Sequence, residues 1–283
     1  TYSLLSLQKM TLISSVSGIR GTIGGKAGDN LTPIDVVRFT SAYGSWLLQN
    51  HKKGTVLVGR DARSSGPMIQ SLVQQTLISL GIDVIDLGLS TTPTVELAVV
   101  RHKAQGGIIL TASHNPKEWN ALKLLNEKGE FLNVQDGEKI NYMSQNLSKI
   151  DFAFVDNFGS ICTEPDAIQH HIEAIRNLPI VDLKAIQKKG FKVVVDGVNS
   201  SGGIAIPQLL EALDAEVVPI HCEPNGDFPH NPEPLAHNLT DLSEAVVAHQ
   251  ADLGIAVDPD VDRLVFMDEN GVLFGEEYTL VAC

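Results

Sequence analysis

Two short stretches carry residue types that could do chemistry together. The first is Thr111-Ala112-Ser113-His114-Asn115-Pro116. A serine hydroxyl needs an adjacent base or a strong electrophile to act as a nucleophile. His114 stands beside Ser113, and Lys123 follows past an expected turn, so either could supply a proton or positive charge to a phosphoryl group. The second stretch is Asp258-Pro259-Asp260-Val261-Asp262-Arg263. Alternating aspartates in an extended loop direct three carboxylates toward one point. Mg²⁺ takes a few such oxygens together with phosphate and water, and without a cation the carboxylates repel one another.

Each stretch also has a plainer reading. Ser, His, Asn and Pro together suit a simple turn, and three aspartates can be a solvated acidic turn. An EF-hand is a third option for the second loop, with Asp258, Asp260 and Asp262 at its first three ligand positions and Glu269 at its last. Its obligatory glycine, however, is here Arg263, and Leu253–Val257 and Leu264–Met267 read as strands rather than helices.

Three further stretches are candidates. In Ser17-Gly18-Ile19-Arg20-Gly21-Thr22, glycines allow close backbone approach and Arg20 could grip a phosphate, although a plain entry loop fits equally well. Gly59-Arg60-Asp61-Ala62-Arg63-Ser64-Ser65-Gly66-Pro67 opens a helix; it reads best as a structural strand-to-helix turn, with anion binding at the helix N-terminus as the alternative. Phe228-Pro229-His230-Asn231-Pro232-Glu233-Pro234 is an ordered, proline-rich loop that could turn His230 to a cleft. His170, His171, His237 and His249 share no ligand spacing and read as surface or packing residues.

The elements that must position these loops follow from periodicity. Residues 32–50 have helical apolar spacing, with Thr32 as cap and Pro33 in the first turn. Thr55–Gly59 reads as a buried strand, 67–80 as a helix stopped by Gly81, Ile82–Leu87 as a strand, the region from Pro93 as a helix, and Gly107–Leu110 as a strand. Alternation of this kind predicts a largely parallel sheet. Between 150 and 162 the periodicity breaks, a helix is expected near 164–178, and the pattern then restarts: VLVGRDARSSG (56–66) has a counterpart in VVVDGVNSSGG (193–203). The expectation is two similar mixed or mostly parallel α/β domains in tandem, 1–153 and 154–270, with 271–283 starting a third. The serine and aspartate loops would leave matching strand ends, where ligands gather in open α/β sheets.

Composition agrees with this. With 283 residues, 43% hydrophobic and 19% charged, the chain is an ordinary globular one of about two domains. A net charge of −13 argues against non-specific binding to nucleic acid or anionic membrane. No stretch approaches the roughly 20 apolar residues of a membrane span. Cys162, Cys222 and Cys283 are odd in number and scattered, which suggests a reducing compartment. A cytoplasmic location is expected.

Together, TASHNP (111–116), DPDVDR (258–263), SGIRGT (17–22) and GRDARSSG (59–66) resemble, in order and spacing, the α-D-phosphohexomutases. The resemblance implies a four-domain enzyme that interconverts hexose 1- and 6-phosphates through a phosphoserine. It makes Ser113 the phosphoserine and Asp258, Asp260 and Asp262, with an oxygen on Ser113, the Mg²⁺ ligands. It places Arg20, Lys123 and Arg263 around the transferring group and His114 beside it as a proton carrier. Thr22, Arg60 and His230 are carried as candidate substrate contacts. A sugar bisphosphate such as glucose 1,6-bisphosphate would be the activator, and the partners would be a phosphosugar and the family's C-terminal domains, with no nucleic acid or membrane. Two departures are Asn120-Ala121, where the family often has Asn-Gly, and Val261, where it often has Gly or Ala. The family's sugar-recognition and phosphate-gripping loops lie in its third and fourth domains, so this piece alone is expected to be nearly inactive as a mutase.

Overall fold

The computed structural model describes residues 10–15, 18–51, 53–275, 278, 279 and 281. Ser17 of the early glycine stretch, and part of the 271–283 segment expected to start a third domain, fall outside them.

The first unit contains β1 (Ile13–Ser15), β2 (Gly18–Thr22), α1 (Pro33–Asn50), β3 (Thr55–Arg60), α2 (Gly66–Ser79), β4 (Asp83–Leu89), α3 (Thr92–His102), β5 (Gly106–Leu110), β6 (Trp119–Leu125), α4 (Val134–Ser144) and β7 (Ile161–Thr163). Its seven strands form one sheet in the order β1-β2-β6-β5-β3-β4-β7. The β5-β3-β4-β7 portion is parallel, and β1, β2 and β6 complete it antiparallel, so the sheet is mixed. Both faces are covered. Val36, Phe39, Tyr43 and Leu47 of α1 and Ile69, Val73 and Leu77 of α2 pack with Val56, Val58, Ile108 and Leu122 on one side. Val95, Ala98 and Val99 of α3 meet Leu57, Ile109 and Leu125 on the other. This alternation of buried faces is what near-continuous apolar parallel strands require. Tyr43 reaches through α1's packing to donate to the Leu125 carbonyl at 2.7 Å, locking helix to sheet.

The second unit contains α5 (Ala167–Arg176), α6 (Leu183–Lys189), β8 (Lys192–Asp196), α7 (Gly202–Ala212), β9 (Glu216–Ile220), α8 (Thr240–His249), β10 (Leu253–Val257) and β11 (Leu264–Met267). Its four-stranded sheet runs β11-β10-β8-β9. The expected repeat is visible in this order. In each unit the third strand of the α/β alternation sits beside the first and the first beside the second (β5-β3-β4 and β10-β8-β9), and an antiparallel strand then flanks the third (β6 and β11). The serine loop joins β5 to β6, and the aspartate loop joins β10 to β11. They are equivalent connections in two copies of one design.

Three details differ from the sequence reading. The stretch holding Arg20 is not an open loop: β2 pairs along its length with β6, Arg20 opposite Ala121. Lys123 lies on β6 itself, opposite Ile109 of β5. And β7, which lies beyond the boundary expected at 153/154, pairs with β4 in the first sheet, because residues 150–160 run back along that sheet's edge.

Candidate active site

Ser113 occupies the turn directly after β5, with φ of 50°. That left-handed conformation costs a non-glycine residue roughly 1–2 kcal/mol, so its neighbours must hold it. Its N–H donates to Thr111 Oγ1 at 2.9 Å, and its carbonyl accepts from Arg63 at 2.5 Å. The aspartate loop is tightened in a similar way. Asp258 Oδ1 accepts the N–H groups of Asp262 and Arg263, each at 3.1 Å, and Val261 just before them has φ of 63°. A β-branched residue there is an outlier.

The two loops meet. Ser113 Oγ donates to Asp258 Oδ2 at 2.6 Å and lies 3.2 Å from Asp262 Oδ1. Lys123 Nζ donates to Asp260 Oδ2 and Asp262 Oδ2, both at 2.7 Å. Thr92, at the start of α3, donates its hydroxyl to Asp260 Oδ2 at 2.5 Å and its N–H to the Asp260 carbonyl at 2.8 Å. His114 Nδ1 is 3.4 Å from Ser113 Oγ. Arg20, Ser113, His114, Asn115 and Lys123 line a cavity of about 160 Å³, and Arg20 Nε is buried without a hydrogen-bond partner among the described residues.

Charge is unbalanced. Asp258 and Asp260 are fully buried. Burial, with Asp260 and Asp262 beside it, pushes Asp258 well above the usual carboxylate range. Asp260 resists its own burial and stays below that range because Lys123 and Thr92 donate to it. Lys123 likewise outweighs its burial through the two aspartates and keeps its proton more firmly than a free lysine. Burial and the nearby Arg263 guanidinium lower His114, leaving a neutral ring at pH 7.

The donor set fits a hard divalent cation. One oxygen from each of Asp258, Asp260 and Asp262 lies within 4.8 Å of the others. Asp260 Oδ1 is buried with no hydrogen-bond donor among the described residues, the state of a carboxylate oxygen reserved for another ligand. A single lysine does not neutralise three carboxylates.

The other candidates are placed elsewhere. Arg263 points its guanidinium toward Glu233, 3.5 Å away, on the His114 side of the loop. Thr22 Oγ1 is engaged with Thr11 and Asn30. Arg60 donates to Gln70 of α2 and to the Asp61 carbonyl. His230 bonds Asp196 at 3.0 Å and lines a separate cleft with Lys117 and Phe228. The structure does not bring Thr22, Arg60 or His230 to the serine. Of the remaining histidines, His171 bonds Thr94 and His170 bonds Glu164, as packing residues do. Sequence reasoning missed Thr92: a Thr-Thr-Pro helix start gives a capping signal but nothing that points to an aspartate 168 residues away.

Fold and site together define a tandem α/β/α protein whose meeting loops suit a phosphoryl group and a divalent cation. The family profiles of phosphoglucomutase/phosphomannomutase α/β/α domains I and II match residues 12–151 and 169–271. The chain belongs to the phosphoglucomutase/phosphomannomutase family of α-D-phosphohexomutases. It is 39% identical to a phosphoglucomutase/phosphomannomutase of Thermococcus kodakarensis over 257 residues, which cover 89% of this chain and 55% of that protein. It is 34% identical to a probable phosphoglucosamine mutase of Methanopyrus kandleri over 265 residues, covering 93% of this chain and 55% of that one. A solved phosphomannomutase-type structure from Thermus thermophilus superposes with a TM-score of 0.80 at 27% identity, over 94% of this chain and 59% of that one. The chain thus spans little more than half the length of these relatives. No helix among the described residues is long and apolar enough to cross a membrane.

Proposed function

We propose that this chain supplies the phosphoryl-transfer half of a phosphohexomutase. The whole protein interconverts hexose 1-phosphate and 6-phosphate through phosphorylated Ser113 and a bisphosphorylated sugar. The observation that carries this is the contact between Ser113 Oγ and Asp258 and Asp262, a nucleophile from one domain seated on the carboxylates of the next.

In the forward transfer the bond from phosphorus to Ser113 Oγ breaks as a bond from phosphorus to a sugar hydroxyl oxygen forms. The hydroxyl proton ends on Ser113 Oγ, with neutral His114 as its carrier. After the bisphosphate turns over, the other phosphoryl group returns to Ser113 and the proton travels back. Arg20 and Lys123, which line the cavity with Ser113, would bring positive charge to the phosphoryl oxygens, the main catalytic demand of such transfers, and Arg263 would have to leave Glu233 to join them. Asp258, Asp260 and Asp262, with an oxygen on Ser113, would hold Mg²⁺, which when bound neutralises phosphate charge as a Lewis acid. Glucose, mannose and glucosamine phosphates are the substrate class, in keeping with the names of the relatives.

The test is peptide mass spectrometry before and after incubation with Mg²⁺ and glucose 1,6-bisphosphate. One added phosphoryl group on the peptide holding Ser113, absent in Ser113→Ala and in Asp260→Ala, is expected. Steady release of free phosphate without sugar bisphosphate turnover would make the protein a serine phosphatase instead. Sugar-phosphate binding that persists while Ser113 stays unmodified in the complete protein would make it a binding module.

A further inference from the structure

Arg63 is wholly buried, and each of its five side-chain N–H groups has an acceptor. Nε donates to Asp61 Oδ2 at 2.9 Å. One terminal nitrogen donates to the carbonyls of Pro116 at 2.6 Å and Trp119 at 3.0 Å. The other donates to the carbonyls of Ser113 at 2.5 Å and Asn115 at 2.7 Å. Four of the five acceptors are therefore backbone carbonyls, three from the serine loop and one from Trp119 at the start of β6, and one of the loop carbonyls belongs to the nucleophile itself. The chain continues on the other side: Asp61 Oδ2 accepts from Thr111 Oγ1 at 2.7 Å, and Thr111 Oγ1 accepts the Ser113 N–H. Ser113 is thus held at both its N–H and its carbonyl by one buried network.

We infer that Arg63 is the positioning residue that sets Ser113 for phosphoryl transfer. This inference rests on the phosphohexomutase reading. Burying an ion pair is a weak route to stability, since a well-packed apolar pair does as well. A planar fork that collects three carbonyls of one short loop and the first carbonyl of the strand after it instead fixes geometry. The carbonyls drawn onto Arg63 set the backbone from Ser113 onward, and the Asp61–Thr111 link sets the side before it, around the one φ in the loop that needs outside support. The ring of Phe228, from the second unit, lies 5.1 Å from the guanidinium centre. Ala62, next in the chain, donates its N–H to Ser200 Oγ, which donates to the carbonyl of Pro259 between the metal-loop aspartates. The group that shapes the serine loop therefore stands at the seam that fixes the aspartate loop.

The test is single-turnover phosphorylation of Ser113 by glucose 1,6-bisphosphate with Mg²⁺, read as maximal rate and half-saturating concentration, in wild type, Arg63→Lys and Thr111→Val. Misplacing a reacting group by an ångström lowers rates by about 100-fold. Arg63→Lys, which keeps the charge but not the fork, is expected to lose about that much of the maximal rate, with half-saturation and Mn²⁺ affinity within about threefold of wild type. Thr111→Val is expected to lose about tenfold with the same split. Rates within threefold of wild type in both variants overturn the inference and leave the functional reading standing. Parallel loss of rate, Mn²⁺ affinity and thermal midpoint also overturns it, by making Arg63 a structural residue only. Where Arg63→Lys does not fold, Thr111→Val decides alone by the same criteria. A wild-type Ser113 that never takes up phosphate overturns the phosphohexomutase reading, and the inference with it.

Discussion

The Thr92 hydroxyl donates to one oxygen of Asp260 at 2.5 Å, while the other oxygen of that carboxylate is buried with no donor among the described residues. The first domain thus orients an aspartate of the second and leaves one lone-pair face free. Thr92→Val removes the orienting bond but keeps the N–H contact from residue 92 to the Asp260 carbonyl. Groups that orient metal ligands are worth about 10–100-fold in affinity. Calorimetric titration with Mg²⁺ should show a loss in that range with little change in thermal midpoint.

Asp258 offers a test of opposite sign for stability. Its carboxyl is raised in the folded protein by burial and by Asp260 and Asp262. A raised acid destabilises the fold at pH values above its ordinary value of 3.8, because the charged form is disfavoured only when folded. Asp258→Asn should therefore raise the thermal midpoint at pH 7 in the presence of a chelator. The same variant should lose most of the midpoint increase that Mg²⁺ gives wild type. A fall in the chelated midpoint would show that the bond from the Ser113 hydroxyl to Asp258 Oδ2, which an amide nitrogen cannot accept, outweighs the repulsion.

Much of this arrangement was legible in the chain. The apolar runs at 55–59, 107–110 and 253–257 read as strands and form β3, β5 and β10, and the serine and aspartate loops that follow two of them meet at Ser113 and Asp258. The duplicated pattern at 56–66 and 193–203 carried the topology as well, since the two sheets share one strand order. What was hidden has physical causes. Strand β6 contains Lys123 and is followed by polar residues, so its pairing with both β2 and β5 depends on partners distant in sequence. Helix α4 buries only Ile140 and Ser144, too little to impose a period. Arg63 lies in a stretch read as a turn, and a turn it is. That its side chain turns inward to gather four carbonyls has no signature in residue types, because backbone carbonyls are invisible in a sequence.

The seam can be tested through Ser200. Its hydroxyl accepts from Ala62 N–H at 3.2 Å and donates to the Pro259 carbonyl at 2.7 Å, all three residues being buried. Ser200→Ala leaves the Ala62 N–H unpaired and removes one of the two donors to the Pro259 carbonyl, a loss of roughly 1–3 kcal/mol. Urea unfolding should show that loss. A change below about 0.5 kcal/mol would mean that water or Ser201, which also donates to the Pro259 carbonyl, replaces the bond.

His230 predicts a pH dependence. Burial works against its charged form, but the Asp196 carboxylate and the Asn231 carbonyl prevail and raise it above the ordinary 6.5. A histidine raised in the folded state adds stability that is fully present below 6.5 and fades as pH climbs through the folded value. The midpoint difference between wild type and His230→Gln should be largest at pH 6 and shrink toward pH 8. An unchanged difference across that range would show that the His230–Asp196 bond is neutral throughout.

Arg20, Lys123 and the serine loop come from β2, β6 and β5, three neighbours in one sheet. Adjacent strands stand about 4.8 Å apart because peptide hydrogen bonds set that spacing. The gauge of this end of the cleft is therefore written in backbone and not in side chains. For an engineer this end is a fixed fixture. A charge can be exchanged on it without redrawing the frame, whereas a new specificity has to be built on whatever surface faces it.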